Sequence, residues 1–130
     1  MAGSYKDLRA WKQGVNLALE VYRTTQNLLK AELYGLISQM RRAAVSVASN
    51  IAERKGRSTD KEFAVFLFFC HARGSLLELE TQIVIAHQLG YLQKADFEEL
   101  DIQTAHLAKK INALLNVVRG EPERTERTER

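Results

Sequence analysis

Residues 34–57, YGLISQMRRAAVSVASNIAERKGR, decide the fold. Leu33, Leu36, Met40, Ala43, Val47 and Ile51 recur in steps of three and four, with Ile37 and Ala44 beside them. That spacing is the apolar face of an amphipathic helix. Ser46, Asn50 and Glu53, four and three apart, line the neighbouring face. The same stretch carries a paired arginine, Arg41 and Arg42, and a basic exit at Arg54, Lys55 and Arg57. It holds no nucleophile–base pair and no cluster of metal ligands, so it points to binding rather than catalysis.

Three further segments have the same period. Leu8, Trp11, Val15, Ala18, Tyr22 and Thr25, widened by Leu19, form the first stripe. Phe63, Phe66, Cys70, Leu77 and Val84, with Gly74 in line, form the third, and Phe97, Leu100, Leu107, Ile111, Leu114 and Val118 the fourth. The pattern predicts helices over about 7–28, 32–55, 60–89 and 94–118. Thr59 and Glu62 make a capping box ahead of the third, and Gly56 and Gly90 suit left-handed helix ends. Short connections favour antiparallel neighbours, so the fold class is all-α: an elongated, antiparallel up-down-up-down four-helix bundle over residues 1–120. Residues 121–130, EPERTERTER, contain no apolar side chain and read as a charged flexible tail.

The 130 residues make one domain, and a single proline, Pro122, suits a helical one. No apolar run reaches the roughly 18 residues of a membrane span, and no signal peptide is visible, so a cytoplasmic protein without membrane contact is expected. Cys70, the one cysteine, sits in an apolar run and reads as a small core residue. The net charge of +3 is uneven: residues 1–57 carry ten Lys/Arg against four Asp/Glu. A basic first half suits a polyanionic partner.

Residues 63–70, FAVFLFFC, are apolar all round. A helix of that kind needs cover on more than one side, and self-association through Val65, Phe68 and Phe69 is the expectation. Catalytic chemistry finds no support. No Glu has a His three residues after it, as a di-iron bundle requires. His71, His87 and His106 lack zinc spacing, and no phosphate-cradling glycine loop is present. No metal, cofactor or enzymatic activity is therefore expected.

With a hairpin turning at 57–58, Arg42 would come level with Arg73, and Glu78 and Glu80 within reach of both. Arg42, Ser46, Asn50, Glu53, Arg73, Ser75, Glu78 and Glu80 thus read as a structural polar network that fixes helix register. Arg41, Arg54, Lys55, Arg57 and Lys61 read as an outward basic surface for phosphate contacts. No aromatic residue is interleaved with them in sequence, so stacking of single strands on that surface is not indicated.

Four blocks together, DLRAWKQG (7–14), YGLISQMRRAAVSVASNIAE (34–53), KEFAVFL (61–67) and GSLLELETQIVIAHQLGYL (74–92), resemble the bacterial four-helix-bundle family of 23S rRNA intervening-sequence proteins. The resemblance covers roughly residues 5–118. It departs from the family pattern at Ala48, where proline is common, which implies a straighter second helix, and at Arg54, where glycine is common. The resemblance implies a cytosolic bundle that assembles as a ring-shaped homo-oligomer, a pentamer. Related accessory proteins of diversity-generating retroelements bind nucleic acid and a reverse transcriptase. The combined expectation is a non-enzymatic homo-oligomer that binds RNA or DNA through its basic surface, as an accessory factor to a reverse transcriptase or another nucleic-acid enzyme. The alternative is a protein-interaction scaffold that holds no nucleic acid itself.

Overall fold

The computed structural model describes residues 5–28, 35–56 and 62–120, and within them the side chains of 8–28, 35–53 and 63–120. The structure is all-α: α1 (Tyr5–Thr24), α2 (Leu36–Gly56), α3 (Glu62–Gln88) and α4 (Lys94–Val118), with no strand among the described residues. Among the described residues, each of α1 and α3 has both α2 and α4 as neighbours, whereas the backbones of α1 and α3, and those of α2 and α4, stand apart across the core. The helices thus close a four-sided bundle around a single core. The Thr59 cap, Arg57, Lys61 and the 121–130 tail lie outside the described residues.

α2 and α4 bury the stripes their sequences announce. Ile37, Met40, Ala43, Ala44, Val47 and Ile51 face the core from α2, as do Leu100, Leu107, Ile111 and Leu114 from α4. Thr104 and Leu115 join them on α4. α2 runs unbroken through Ala48. α1 and α3 are rotated from the expected faces. On α1 the core residues are Ala10, Leu17 and Val21, with Gly14 in the same line, while Leu19 is 62% and Tyr22 45% exposed. On α3 they are Val65, Phe69, Ala72, Leu76, Leu79, Ile83 and Ala86, while Phe63, Leu77 and Val84 lie open. The interface candidates Val65 and Phe69 therefore belong to the core, and Phe68 is half-buried.

Small residues explain the rotation of α1. A Cβ built on Gly14 would lie 3.3 Å from both Cα and Cβ of Ala48, so α1 and α2 cross there at backbone distance. Dispersion gained over such a close crossing falls off quickly with separation, and a larger side chain would hold the helices apart. α1 closes at Thr24, short of the expected residue 28. The Thr24 and Thr25 hydroxyls both donate to the Val21 carbonyl, at 3.2 and 2.7 Å, and such back-bonding competes with continuing the helix. α3 ends in a Schellman motif: Gly90 takes φ +83°, Tyr91 N donates to Ala86 O at 2.9 Å, and Gly90 N to His87 O at 3.0 Å. The His87 ring stacks on Phe97 at 4.0 Å and joins the end of α3 to the start of α4.

Candidate nucleic-acid interface

Adjacent residues on a helix point about 100° apart, so Arg41 and Arg42 serve different neighbours. Arg41 leans toward the C-terminal end of α1. Its Nε donates to Thr25 Oγ1 at 3.0 Å, Nη2 reaches the Tyr22 carbonyl at 3.5 Å, and Cζ lies 4.4 Å from the centre of the Tyr22 ring. A cation here meets carbonyl oxygens at the negative dipole end of α1 as well as the face of an aromatic ring. Arg41 is consequently half-buried and fixed. Arg42 is exposed, and Nη1 donates to Ser38 Oγ at 3.1 Å, which leaves its other N–H groups toward solvent.

One turn further along α2, Ser46 and Ser75 of α3 lie 2.8 Å apart, oxygen to oxygen. Asn50 Nδ2 donates to Ser46 O at 2.9 Å and to Ser46 Oγ at 3.1 Å. The two serines share one proton between them, and whichever donates it, the hydroxyl proton of the other has no acceptor among the described residues. One donor of the trio is thus unspent. Both serines line an open cleft of about 630 Å³, together with Tyr22, Gln39, Arg41, Arg42 and Glu78. That volume falls in the range of small-molecule sites.

The contact between Ser46 and Ser75 lies six residues further along α3 than a turn at 57–58 would place it. Arg42 does not come level with Arg73. Among the described residues neither arginine pairs with Glu78 or Glu80: Arg42 turns back along its own helix, and Glu78 stands exposed at the cleft. Glu80 belongs to the flank facing α4. Burial, and after it the Asp101 carboxylate, hold the Glu80 carboxyl above its usual range. Of the expected network, the structure brings together Ser46, Asn50 and Ser75. Glu53 is exposed near the end of α2 and Arg73 is half-buried.

Of the expected basic surface, Arg41 is the residue whose side chain is described. Arg54 and Lys55 lie on the last turn of α2 with their side chains outside the described set. The residues that sequence reasoning missed are Tyr22, Gln39 and Val45. Tyr22 meets an arginine from 19 positions away, so no local interleaving could have shown it. The available signal was the stripe Trp11, Val15, Ala18 and Tyr22, which reads as core and in fact lines a second, apolar groove of about 390 Å³ between α1 and α2.

Among the described residues no group of three His, Cys, Asp or Glu side chains could hold a metal ion, and no helix is long and apolar enough to cross a membrane. None of the curated proteins compared with the chain matches it. A family model does: that of the 23S rRNA-intervening sequence protein matches residues 6–113, and the chain belongs to this family.

Proposed function

We propose that this protein is a non-enzymatic, cytoplasmic homo-oligomer that binds RNA or DNA through the basic side of its first two helices, as an accessory factor to a nucleic-acid enzyme. The observation that carries this reading is the Arg41–Arg42 pair at the mouth of the cleft. One guanidinium is fixed against Tyr22 and Thr25, and the other is exposed with donors to spare. Phosphate oxygens are the acceptors such groups suit, with little dependence on sequence. The family's link to ribosomal RNA genes is consistent with it. Arg54, Lys55, Arg57 and Lys61 extend the positive charge along the chain.

The bundle is read as antiparallel, up-down-up-down. The contacts of Gly14 with Ala48 and of Tyr22 with Arg41 support this for α1 and α2. Those of His87 with Phe97 and of Phe66 with Arg119 support it for α3 and α4. Self-association is read onto the open side of α3, where Phe63 is 72%, Leu77 57% and Val84 46% exposed. Heptad spacing of that stripe suits a second helix laid along it. A ring of five copies is the arrangement the family resemblance suggests.

Filter binding of labelled RNA and DNA at rising salt tests the central claim. Affinity should fall steeply with salt, and Arg54, Lys55 and Arg57 replaced together by Ala should flatten the dependence. No retention of either nucleic acid at low salt would overturn it. The exposed α3 stripe would then favour the second reading, a scaffold that meets other proteins through this helix.

A further inference from the structure

The cleft and the apolar groove are separate in chemistry but not in space. Tyr22 and Val45 line both, at 45% and 43% exposure, and so form the divide between them. On one side stand Arg42 and the Ser46–Ser75 pair with its unspent hydroxyl proton. On the other stand Trp11, Leu19 and Ala48. Between them Arg41 lies over the Tyr22 ring and offers a cationic–aromatic surface held in place by the bond from Arg41 to Thr25. A ligand that fills both must join an anion to a flat, largely apolar ring across a short flexible link.

Resting on the nucleic-acid reading above, we propose that the two cavities are one site for a single unpaired nucleotide of a single-stranded RNA or DNA. The phosphate lies in the cleft and accepts hydrogen bonds from Arg42 and the free serine hydroxyl. The base extends the Arg41–Tyr22 stack toward Trp11. Stacking reads the π-face that every base has, so this site tolerates any sequence. It rejects duplex, whose bases are already stacked and paired. Glu78 at the cleft is a like charge to the phosphate, so it weakens binding and limits the site to a ligand that also stacks.

Trp11 is the only tryptophan in the chain and lines the groove, so its emission reports the site directly. The full-length protein is titrated with a homopolymeric single strand of about ten nucleotides, within the site size of single-strand binders. The expected result is saturable quenching of Trp11 by the single strand and not by the corresponding duplex. Tyr22→Leu should weaken binding about tenfold or more, Arg42→Ala should weaken it by a similar factor, and Glu78→Gln should tighten it. Circular dichroism of each variant keeps loss of fold apart from loss of binding. A salt-dependent single-strand complex with unchanged Trp11 emission, and with Tyr22→Leu binding like the parent, would overturn the nucleotide site while leaving the wider function standing. Preference for duplex would do the same, as would equal affinity for the free mononucleotide. Emission that changes with protein concentration alone, and not with the single strand, would assign the groove to a second copy of the chain and overturn the proposal. No binding of any nucleic acid at low salt would remove both readings.

Discussion

α3 has two apolar faces that look alike in sequence and differ in the folded protein. Val65, Phe69, Ala72, Leu76, Leu79, Ile83 and Ala86 step by four and three along the inner face and are all buried. Phe63, Leu67, Gly74, Leu77 and Val84 follow a parallel track on the outer side, where Phe63 is 72% and Leu77 57% exposed. The inner face holds the bundle together by removing apolar surface from water. The outer face adds little to that core and leaves much of its apolar surface exposed. α1 repeats the division on a smaller scale: Ala10, Gly14, Leu17 and Val21 face inward, and Trp11, Val15, Leu19 and Tyr22 line the groove.

Truncating one phenylalanine on each track separates the two faces most widely. Phe69 is 1% exposed, and Phe69→Ala should cost about 3–5 kcal/mol, the range for emptying an aromatic site in a packed core. Phe63→Ala should cost less than about 0.5 kcal/mol, as is usual for an exposed position. Urea unfolding of the two variants under conditions where the chain is monomeric measures the difference. Equal losses would mean that the outer track is covered within one chain.

The second effect belongs to α1. Gly14→Leu places a branched side chain where even a Cβ meets Ala48 backbone at 3.3 Å. The variant should lose about 1–3 kcal/mol through overpacking, although leucine is the better helix former. Val15→Leu, on the half-buried groove side, should be close to neutral. If Gly14→Leu were as stable as the parent, the close crossing of α1 and α2 would not be what turns Ala10 and Leu17 inward.

How far the sequence alone could go follows from the same division. α2 and α4 carry one main apolar stripe each, and most of the periodic residues described are buried, with Leu36, Phe97 and Val118 partly so; Leu33 lies outside the described residues. α1 and α3 carry more apolar residues than one core face can use, and periodicity then cannot say which track is inside. Bulk suggests Trp11 and Tyr22 on α1, whereas close packing selects Ala10 and Gly14. Of the candidate site, the Ser46–Asn50 spacing was legible because both residues sit on one helix. Its partner Ser75 was named, but its register was not, because periodicity along one helix does not fix how far its neighbour is shifted along it. The Arg41–Tyr22 stack was not legible at all, since its two members come from different helices.

Glu80 tests the flank between the two tracks of α3. Burial and Asp101 raise its carboxyl, so the folded protein binds that proton more tightly than the unfolded chain does. The sign follows by linkage: the ionised carboxylate opposes folding above its folded pKa, and that opposition fades as pH falls through the same range. Glu80→Gln should therefore be more stable than the parent near pH 7 by a small margin, and the margin should vanish in acid. Thermal unfolding of both proteins as a function of pH measures it, and a variant less stable than the parent at neutral pH would show that Glu80 is held by an attractive partner.

The smallest effect on stability is expected on the outer track, and it is the one that separates folding from assembly. Leu77→Lys places a charge at a position 57% exposed, so the bundle itself should change by no more than about 0.5 kcal/mol. If the outer track is where copies of the chain meet, the same lysine puts an unpaired charge into an apolar contact at every such interface. The mass measured by light scattering should then fall to that of one chain, 14.8 kDa, while helical content by circular dichroism is unchanged. A Leu77→Met variant keeps the apolar contact and should retain the parent mass. An oligomer that survives Leu77→Lys and a matching Phe63→Lys would move self-association away from α3. The apolar groove lined by Trp11 and Leu19 would then be the next surface to test for it, in direct competition with the nucleotide that surface is proposed to hold.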